Sequence, residues 1–238
     1  MKELEDFPHF PTLLRNFQTE FIGFVVVRFN VYRAFIKYIN SLTLPRLPMI
    51  DLCSGNGEAA IHVFKESNYF SHLILSDKFP NKIPLNDHKI SYLAQSADVL
   101  EMKFQPGVCY TMYNAFHHFK DEDKRKVAQK INEVGARSFF VEILAPNLVC
   151  LLKVLFITTV GNLLLTPLIR PFSFKRIFFT YIIPVNILII TYDGIVSVFK
   201  SRTVNEYRKL FVSYGDSIKV FKLRKYFSSL IVIQVHPE

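Results

Sequence analysis

The sequence lacks tryptophan and has few cysteines. Its 238 residues contain no Trp and three Cys. Because Cys53, Cys109 and Cys150 form no C-x-x-C pair, they argue against a disulfide framework and a zinc site, and they favour a reducing compartment. The N-terminal stretch is acidic and has no apolar signal core, so we expect no secretory leader.

Acidic residues are missing from one long segment, since none occurs between Ile143 and Tyr192. The whole chain carries a formal net charge of +9, yet 50% of its residues are hydrophobic and 24 are Phe. The positive charge is mixed with aliphatic runs, and no Asn-Pro-Pro-Tyr-like motif for flipped bases is present. We therefore expect no nucleic-acid partner and favour a membrane surface or a lipid.

This acid-free segment forms most of a predicted insertion, residues 146–202. Residues 148–169 are almost wholly apolar, residues 177–190 form a second apolar run, and the basic cluster 170–176 separates them. A spanning helix needs about 20 apolar residues, which the first run barely reaches. We predict that this insertion forms a lid over a ligand pocket and that the lid touches the inner face of the membrane. The protein would then be cytoplasmic and peripherally attached to the membrane. A dry lid and spanning helices are the alternatives.

The rest of the chain alternates predicted strands and helices. This alternation predicts an α/β fold with a doubly wound, mostly parallel, seven-stranded Rossmann-like sheet and an antiparallel C-terminal hairpin. Residues 1–47 form a predicted helical cap, and the core comprises 48–145 and 203–238. The predicted strands are 48–52, 72–76, 90–94, 108–113, 138–144, 218–224 and 228–235, and the predicted helices outside the insertion are 12–42 (one or two), 57–67, 121–134 and 203–213.

The run from Met49 to Gly57 is the most informative motif. It consists of an apolar strand with an acid at Asp51, a turn with glycines at 55 and 57, and the start of a helix. Such a turn presents bare backbone N–H groups to a nucleotide, and glycine permits positive φ and close approach. A carboxylate just upstream would repel a pyrophosphate, so it favours a cationic or polar ligand.

Three polar features follow later predicted strands. Asp77 ends the second strand, where an acid binds a ribose diol. Asp98 follows the third strand, where a carboxylate can accept from an adenine amino group. The stretch from Asn114 to Phe119 follows the fourth strand. Because ligands bind at the carboxyl ends of parallel strands, we expect these features to share one pocket.

The order of these motifs resembles the class I S-adenosylmethionine (SAM)-dependent methyltransferases. The resemblance covers 48–144 and 203–238, since the family's sheet also ends in an antiparallel hairpin. Residues 5–11 and 192–197 are similar to a poorly characterised bacterial branch. One departure is Asn56-Gly57-Glu58, where many members carry a third glycine.

The resemblance implies SAM as the cofactor and a role for each matching residue. Asp51, Ser54, Gly55 and Gly57 would contact the methionine end, Asp77 the ribose, Asp98 with Val99 the adenine, and Asn114 would line the floor beneath the sulfonium. We include three neighbours in the predicted cofactor site: Cys53, Lys78 and Ala115. Cys53 is interpreted as a small packing residue and not as a nucleophile.

The histidine pair at 117 and 118 is the candidate for acid–base chemistry. Histidine titrates near neutrality, so either ring could act as the general base on a methyl acceptor, and we prefer His118. The alternative is that both histidines only shape the turn. No Asp, Glu or His partner with convincing spacing accompanies them, so we predict no metal site.

The predicted reaction is methyl transfer to a hydrophobic small molecule, such as a phenolic, polyketide or isoprenoid lipid, with O- and C-methylation both open. The predicted substrate contacts are Tyr32, Glu142, Tyr181, Tyr192 and Asp193, although Tyr192-Asp-Gly194 could equally be a turn. A nicotinamide oxidoreductase is an alternative because Gly55-x-Gly-x-x-Ala60 satisfies a dinucleotide fingerprint. Asp51 and the lack of a Tyr-x-x-x-Lys pair weaken it. A non-catalytic membrane-associated protein is a further alternative, and no oligomeric state is predicted.

Overall fold

The computed structural model describes residues 2–43, 45–81, 83–225 and 228–236. Its centre is a seven-stranded sheet with the order β3-β2-β1-β4-β5-β7-β6. The first five strands are parallel, while β7 runs antiparallel to both β5 and β6. The strands are β1 Leu47–Leu52, β2 Phe70–Ser76, β3 Ile90–Tyr92, β4 Cys109–Tyr113, β5 Arg137–Glu142, β6 Ile218–Lys225 and β7 Ser228–Val235.

This sheet confirms the predicted fold class and the antiparallel C-terminal hairpin. The observed strand ends differ from the predicted ones by at most two residues: β5 ends at Glu142 and not at residue 144, and β3 ends at Tyr92 and not at residue 94. β3 lies at the sheet edge and pairs with β2 alone. After the Leu93 amide donates to the Leu75 carbonyl, no strand on the far side holds the chain extended.

Helices cover both faces of the sheet, and each face has its own apolar core. Residues of α2 and α3 pack with β1 and β2 on one face, while residues of α4 and α9 pack with β4 and β7 on the other. The helix that begins at Val204 has a capping box, since the side chains of Thr203 and Glu206 each accept from the other's backbone N–H. The helices outside the insertion are α1 Thr12–Arg28, α2 Arg33–Asn40, α3 Glu58–Glu66, α4 Asp121–Glu133 and α9 Val204–Leu210.

The long segments of the insertion between β5 and α9 are all helices. A single rod from Leu148 to Leu168 contains α5, a π-turn at 157–161, α6 and a final 3₁₀ turn. Two further helices follow, with a bend of 75° at the break before Val185. The turn predicted as an alternative at Tyr192-Asp-Gly194 is wrong, because these residues lie inside the helix Val185–Lys200. The insertion helices are α5 Leu148–Phe156, α6 Asn162–Leu165, α7 Phe174–Tyr181 and α8 Val185–Lys200.

Candidate functional site

The loop between β1 and α3 has the conformation that its glycines permit. The φ angles of Cys53, Gly55 and Gly57 are +57°, +56° and +78°. A Cβ added to Gly57 would lie 2.5 Å from a methyl of Leu75, so only glycine fits there. The loop therefore turns sharply at the carboxyl end of β1 and leads into the N-terminus of α3, whose backbone N–H groups face outward from the first turn.

Asp51 lies beneath this loop and is 2% exposed. One carboxylate oxygen accepts a hydrogen bond from the Thr111 hydroxyl at 2.7 Å. The Asp51 carbonyl accepts from the Ser54 hydroxyl at 3.0 Å and from the Ser76 hydroxyl at 2.7 Å. Burial raises the pKa of Asp51 from 3.8 to about 7, despite the hydrogen bond from Thr111. A cationic partner beside the carboxylate would therefore stabilise the ionised form of Asp51.

Asp77 connects the end of β2 to the glycine loop. Its two carboxylate oxygens accept from the amides of Gly55 and Phe79, each at 2.8 Å. Burial raises the pKa of Asp77, while these backbone bonds oppose the rise. Each oxygen keeps a further lone pair, so the carboxylate can still accept from a ligand hydroxyl.

Asp98 lies in the loop after β3 and forms an ion pair with Lys78 at 2.8 Å. The hydrogen bond from Lys78 lowers the pKa of Asp98. The Lys78 side chain is 60% exposed, so the pair contributes little and can open readily. The neighbouring Val99 is buried in the core beneath. A carboxylate thus lies at each of the two positions predicted to face a nucleoside.

Asn114 occupies the corresponding position at the end of β4. It has a φ of +52°, and its side-chain oxygen accepts from the Ile143 amide at 3.3 Å. Positive φ is uncommon for residues other than glycine, and strain of this kind concentrates at ligand-binding sites. Together with Cys53, Asn114 places two strained residues at the ends of adjacent central strands. Ala115 follows directly and begins the turn that leads to the histidines.

His117 and Glu142 form a buried pair. The His117 ring is 1% exposed and its Nδ1 lies 2.6 Å from Glu142, which is 0% exposed. The other oxygen of Glu142 accepts from the Phe116 amide at 2.7 Å. Burial opposes ionisation of Glu142, but the His117 ring and this amide hold its pKa below the usual value. Among the described residues, Nε2 of His117 has no hydrogen-bond partner.

His118 has a different environment, because acids from the N-terminal segment, residues 2–11, surround it. Nδ1 lies 3.1 Å from Asp6 and Nε2 lies 3.3 Å from Glu3, with Glu5 at 3.9 Å. Burial lowers the pKa of His118, but these carboxylates outweigh it and raise the pKa to about 9. Both ring nitrogens of His118 are thus directed at carboxylates.

The insertion and α1 hold the N-terminal segment over the strand ends. Asp193 of α8 accepts from the Leu4 amide at 2.6 Å, and Lys200 pairs with Glu3 at 3.0 Å. Arg15 donates to the carbonyls of Glu5 and Phe7. The same guanidinium lies over the ring of Phe79, 4.4 Å from its centroid, beside Asp77. The segment therefore closes the side of the site that faces away from the sheet.

The predicted substrate residues do not share one location. Glu142 lies at the site because it pairs with His117, and Asp193 lies there because it accepts from the backbone of the N-terminal segment. Tyr32 is buried beneath, with its ring 5.0 Å from that of Tyr113. Tyr181 and Tyr192 are each 41% exposed on α7 and α8, and the Tyr181 hydroxyl donates to the Leu163 carbonyl. Burial raises the pKa of Tyr32, and the nearby charges of Glu142 and Asp51 raise it further, so Tyr32 lies close to the site acids. The structure thus gathers the acids, the histidines and Tyr32, and it leaves Tyr181 and Tyr192 apart from them on the insertion.

Sequence reasoning missed Thr111 of β4 and Ser76 of β2, which both donate to Asp51. It also missed a group of residues from outside the sheet: Glu3, Glu5, Asp6, Arg15 and Lys200. Glu5 and Asp6 begin the stretch 5–11 that is similar to a bacterial methyltransferase branch, but that similarity assigns them no contact. Their other signal was a dense acidic cluster in a basic chain. Its contact with His118, across 112 positions of sequence, could not be read from local spacing.

Comparisons with known proteins give structural neighbours only. No protein-family model and no curated protein matches the chain. The plantazolicin methyltransferase BpumL, in complex with a monoazolic desmethylPZN analog and SAH, aligns with a TM-score of 0.55 and 13% identity, covering 95% of this chain and 88% of BpumL. The mitomycin 7-O-methyltransferase MmcR aligns at 0.52 and 13% identity, covering 91% of this chain and 55% of MmcR.

An O-methyltransferase family 2 protein from Planctomyces limnophilus, solved with apigenin, aligns at a TM-score of 0.52 and 11% identity, covering 91% of this chain and 59% of that protein. The chain therefore spans little more than half the length of two of these three neighbours. Identities this low establish the fold alone. The strand order, the glycine turn after β1 and these alignments agree, so the chain has the fold of the class I SAM-dependent methyltransferases.

Proposed function

We propose that this protein is a SAM-dependent methyltransferase acting on a hydrophobic small molecule. The observation that carries the proposal is the buried Asp51 beneath a positive-φ glycine turn, at the head of a helix and in sequence order with Asp77 and Asp98. SAM supplies an electrophilic methyl group next to a positive sulfur. BpumL, which has this fold, was solved in complex with SAH, the demethylated product of SAM, and this supports the choice of cofactor.

The residues present fit this cofactor on chemical grounds. Asp51, with the backbone of Ser54, Gly55 and Gly57, would hold the cationic amino-acid end, because a buried carboxylate is stabilised by an amino group. Asp77 would accept from the ribose hydroxyls and Asp98, beside Val99, from the adenine amino group. Asn114 would line the floor next to the reacting sulfur. Opening the exposed Lys78–Asp98 pair costs less than about 1 kcal/mol. Lys78 can therefore move away, and Asp98 can then accept a hydrogen bond from a ligand.

His117 is the group that we assign to the acceptor side. Glu142 holds its Nδ1, which fixes the ring and leaves Nε2 open to receive a proton from a hydroxyl or an acidic carbon. The two nitrogens of His118 already face Asp6 and Glu3, so this geometry favours His117 over the His118 preferred from sequence. His118 instead attaches the N-terminal segment, which would exclude water above the reacting groups.

The insertion supports a position at the inner face of a membrane. Between residues 148 and 188 many large apolar side chains are exposed, with Phe174 at 83% and Leu164 at 69%. Among the described residues one helix, Leu148–Leu168, is long and apolar enough to cross a membrane by length and composition, and 11% of it is buried. A dry lid would cover such a surface with protein. We therefore favour helices that lie in the lipid interface and supply a hydrophobic acceptor to the site.

One residue of the predicted basic cluster 170–176 does not belong to this surface. Arg176 is 2% exposed, pairs with Glu20 of α1, and donates to the carbonyls of Ile169 and Pro171. It therefore attaches α7 to α1 and is not free to bind lipid. The exposed cations of this cluster that face solvent are Arg170 and Lys175, and these could bind an anionic leaflet.

Equilibrium binding of SAH, SAM and NADPH tests the proposed activity. We expect heat from SAH and SAM but not from NADPH, and a weaker signal for Asp77→Asn than for the matched control Asp216→Asn, which lies on an exposed turn. Mass spectrometry of lipid extracts from cells with and without the protein should show paired species one CH₂ apart. Binding of NADPH without SAH would instead support an oxidoreductase.

A further inference from the structure

Glu3, His117 and His118 form a three-residue cluster of metal-ligand type at the closed end of the site. One oxygen of Glu3 and one ring nitrogen from each histidine lie within 4.8 Å of one another. Two of these residues, Glu3 and His117, are 1% exposed. We propose that this cluster binds one divalent transition-metal ion, such as Zn²⁺, Co²⁺ or Mn²⁺.

The ring nitrogens are arranged as in a metal site. Nδ1 of His117 is occupied by Glu142 and Nδ1 of His118 lies beside Asp6. Metal-bound histidines usually have such a carboxylate on the nitrogen that does not bind the metal, which fixes the ring and raises its basicity. Both histidines therefore keep Nε2 for a ligand, and Nε2 of His117 is a buried atom with no hydrogen-bond partner among the described residues.

The distances are close to those that a metal requires. Nε2 of His118 lies 3.3 Å from Glu3. Bonds of about 2.0–2.1 Å in tetrahedral geometry place neighbouring ligand atoms about 3.4 Å apart. All three ligand atoms already lie within 4.8 Å of one another, so their separations need to shorten by at most about 1.4 Å to match a bound metal.

The local charge also favours a divalent cation. Glu3, Glu5, Asp6 and Glu142 lie beside the two histidines, and Asp193 lies close to Glu3. The cation described beside them is Lys200, which pairs with Glu3 at 3.0 Å and with Asp6 at 3.4 Å. Replacing a proton on His118 by a doubly charged ion would balance more of this negative charge.

The ligand types select the class of metal. Two imidazoles and one carboxylate suit Zn²⁺, Co²⁺, Mn²⁺ or Fe²⁺, whereas Mg²⁺ and Ca²⁺ prefer oxygen ligands throughout. Three protein ligands leave at least one coordination position for water or another small ligand. Because a metal and a proton would use the same nitrogen of His117, metal binding and proton acceptance exclude one another at that atom.

The sequence argued against a metal here because no partner with suitable spacing accompanies the histidines. Glu3 supplies that partner, and it does so across 115 positions of the chain. The site depends on the N-terminal segment, because Asp193 and Lys200 hold that segment in place. Metal binding would therefore also fasten residues 2–6 over the strand ends.

Metal content of tag-free protein tests the proposal. The chain is treated with chelator, desalted and equilibrated with Zn²⁺ or Co²⁺, and bound metal is measured by mass spectrometry and by the visible spectrum of Co²⁺. We expect one ion per chain, with affinity at least about tenfold weaker in Glu3→Gln and in His118→Asn. The matched controls Glu101→Gln and His88→Asn, at exposed positions, should bind as the unaltered chain does.

Two results would overturn the proposal: an unaltered chain that binds no metal, or Glu3→Gln and His118→Asn chains that bind it as tightly as the controls. Circular dichroism identifies a variant that fails to fold. Glu3→Gln leaves both histidines and the buried His117–Glu142 pair in place, so this variant remains informative if His118→Asn unfolds. SAH calorimetry on the same samples separates this site from the proposed function. A chain that binds SAH but fails to bind metal contradicts only the metal site.

Discussion

The buried carboxylate of Asp51 gives the sharpest prediction, because one substitution should change stability and cofactor binding in opposite directions. In Asp51→Asn the side-chain oxygen can still accept from Thr111, so the main loss is the negative charge. Burial raises the pKa of Asp51 from 3.8 to about 7. The folded protein therefore binds a proton that the unfolded chain has released between these pH values, and stability falls as pH rises through this window.

The size of the effect follows from the shift. Each pKa unit corresponds to about 1.4 kcal/mol, so the stability lost between pH 5 and pH 8, where the folded protein releases this proton, is about 3 kcal/mol. Asp51→Asn does not titrate, so its stability relative to the unaltered chain should increase by about that amount from pH 5 to pH 8. Urea unfolding at the two pH values measures it, with Asp216→Asn as the control whose difference stays flat. A pH-independent difference for Asp51→Asn would refute the assigned burial cost.

Cofactor binding should show the opposite sign. A cationic amino group favours the ionised carboxylate, so SAH binding near pH 6.5 should release protons from the unaltered chain. Calorimetry in two buffers of different ionisation enthalpy measures that release. Asp51→Asn should bind SAH at least about tenfold more weakly, since about 1.4 kcal/mol of charge interaction corresponds to that factor. A variant that is both more stable and tighter binding would contradict the role of Asp51.

Three further predictions concern the acceptor side, the membrane surface and the glycine turn. His117→Asn should slow methyl transfer by about 10²–10⁴-fold where the acceptor must lose a proton, with SAH affinity retained in calorimetry; an unchanged rate would exclude His117 as the base. Phe156→Ser, at a side chain that is 62% exposed on α5, should weaken flotation with anionic vesicles, whereas Val212→Ser, at a side chain that is 77% exposed on the turn before β6, should not; equal behaviour would contradict the lipid surface. Gly57→Ala should lose more stability in urea than Gly135→Ala, because both glycines have positive φ but only the first meets a side chain, at 2.5 Å; equal losses would show that the packing of the turn is unimportant.

The sheet and the glycine turn were predictable because their signals are local. A strand, a turn and a helix start lie within the few residues around Asp51, and the hairpin of β6 and β7 follows one short connection. The shortening of β3 was not predictable, since it depends on β3 lying at the sheet edge. The burial of Arg176 was also hidden, because an arginine in a basic run is normally solvated and its partner Glu20 lies far away in sequence.

The two adjacent histidines show where sequence reasoning on this site reached its limit. His117 and His118 share one 3₁₀ turn and identical chemistry, so no local pattern can assign them different roles. Their partners separate them: Glu142 lies 25 positions from His117, while Asp6 lies 112 positions from His118. The first partner belongs to the neighbouring strand β5, which the alternating pattern predicts. The second belongs to the N-terminal segment, whose position is set by Asp193 and Lys200 of α8. The environment of His118 therefore forms only when the N-terminal segment packs against α8.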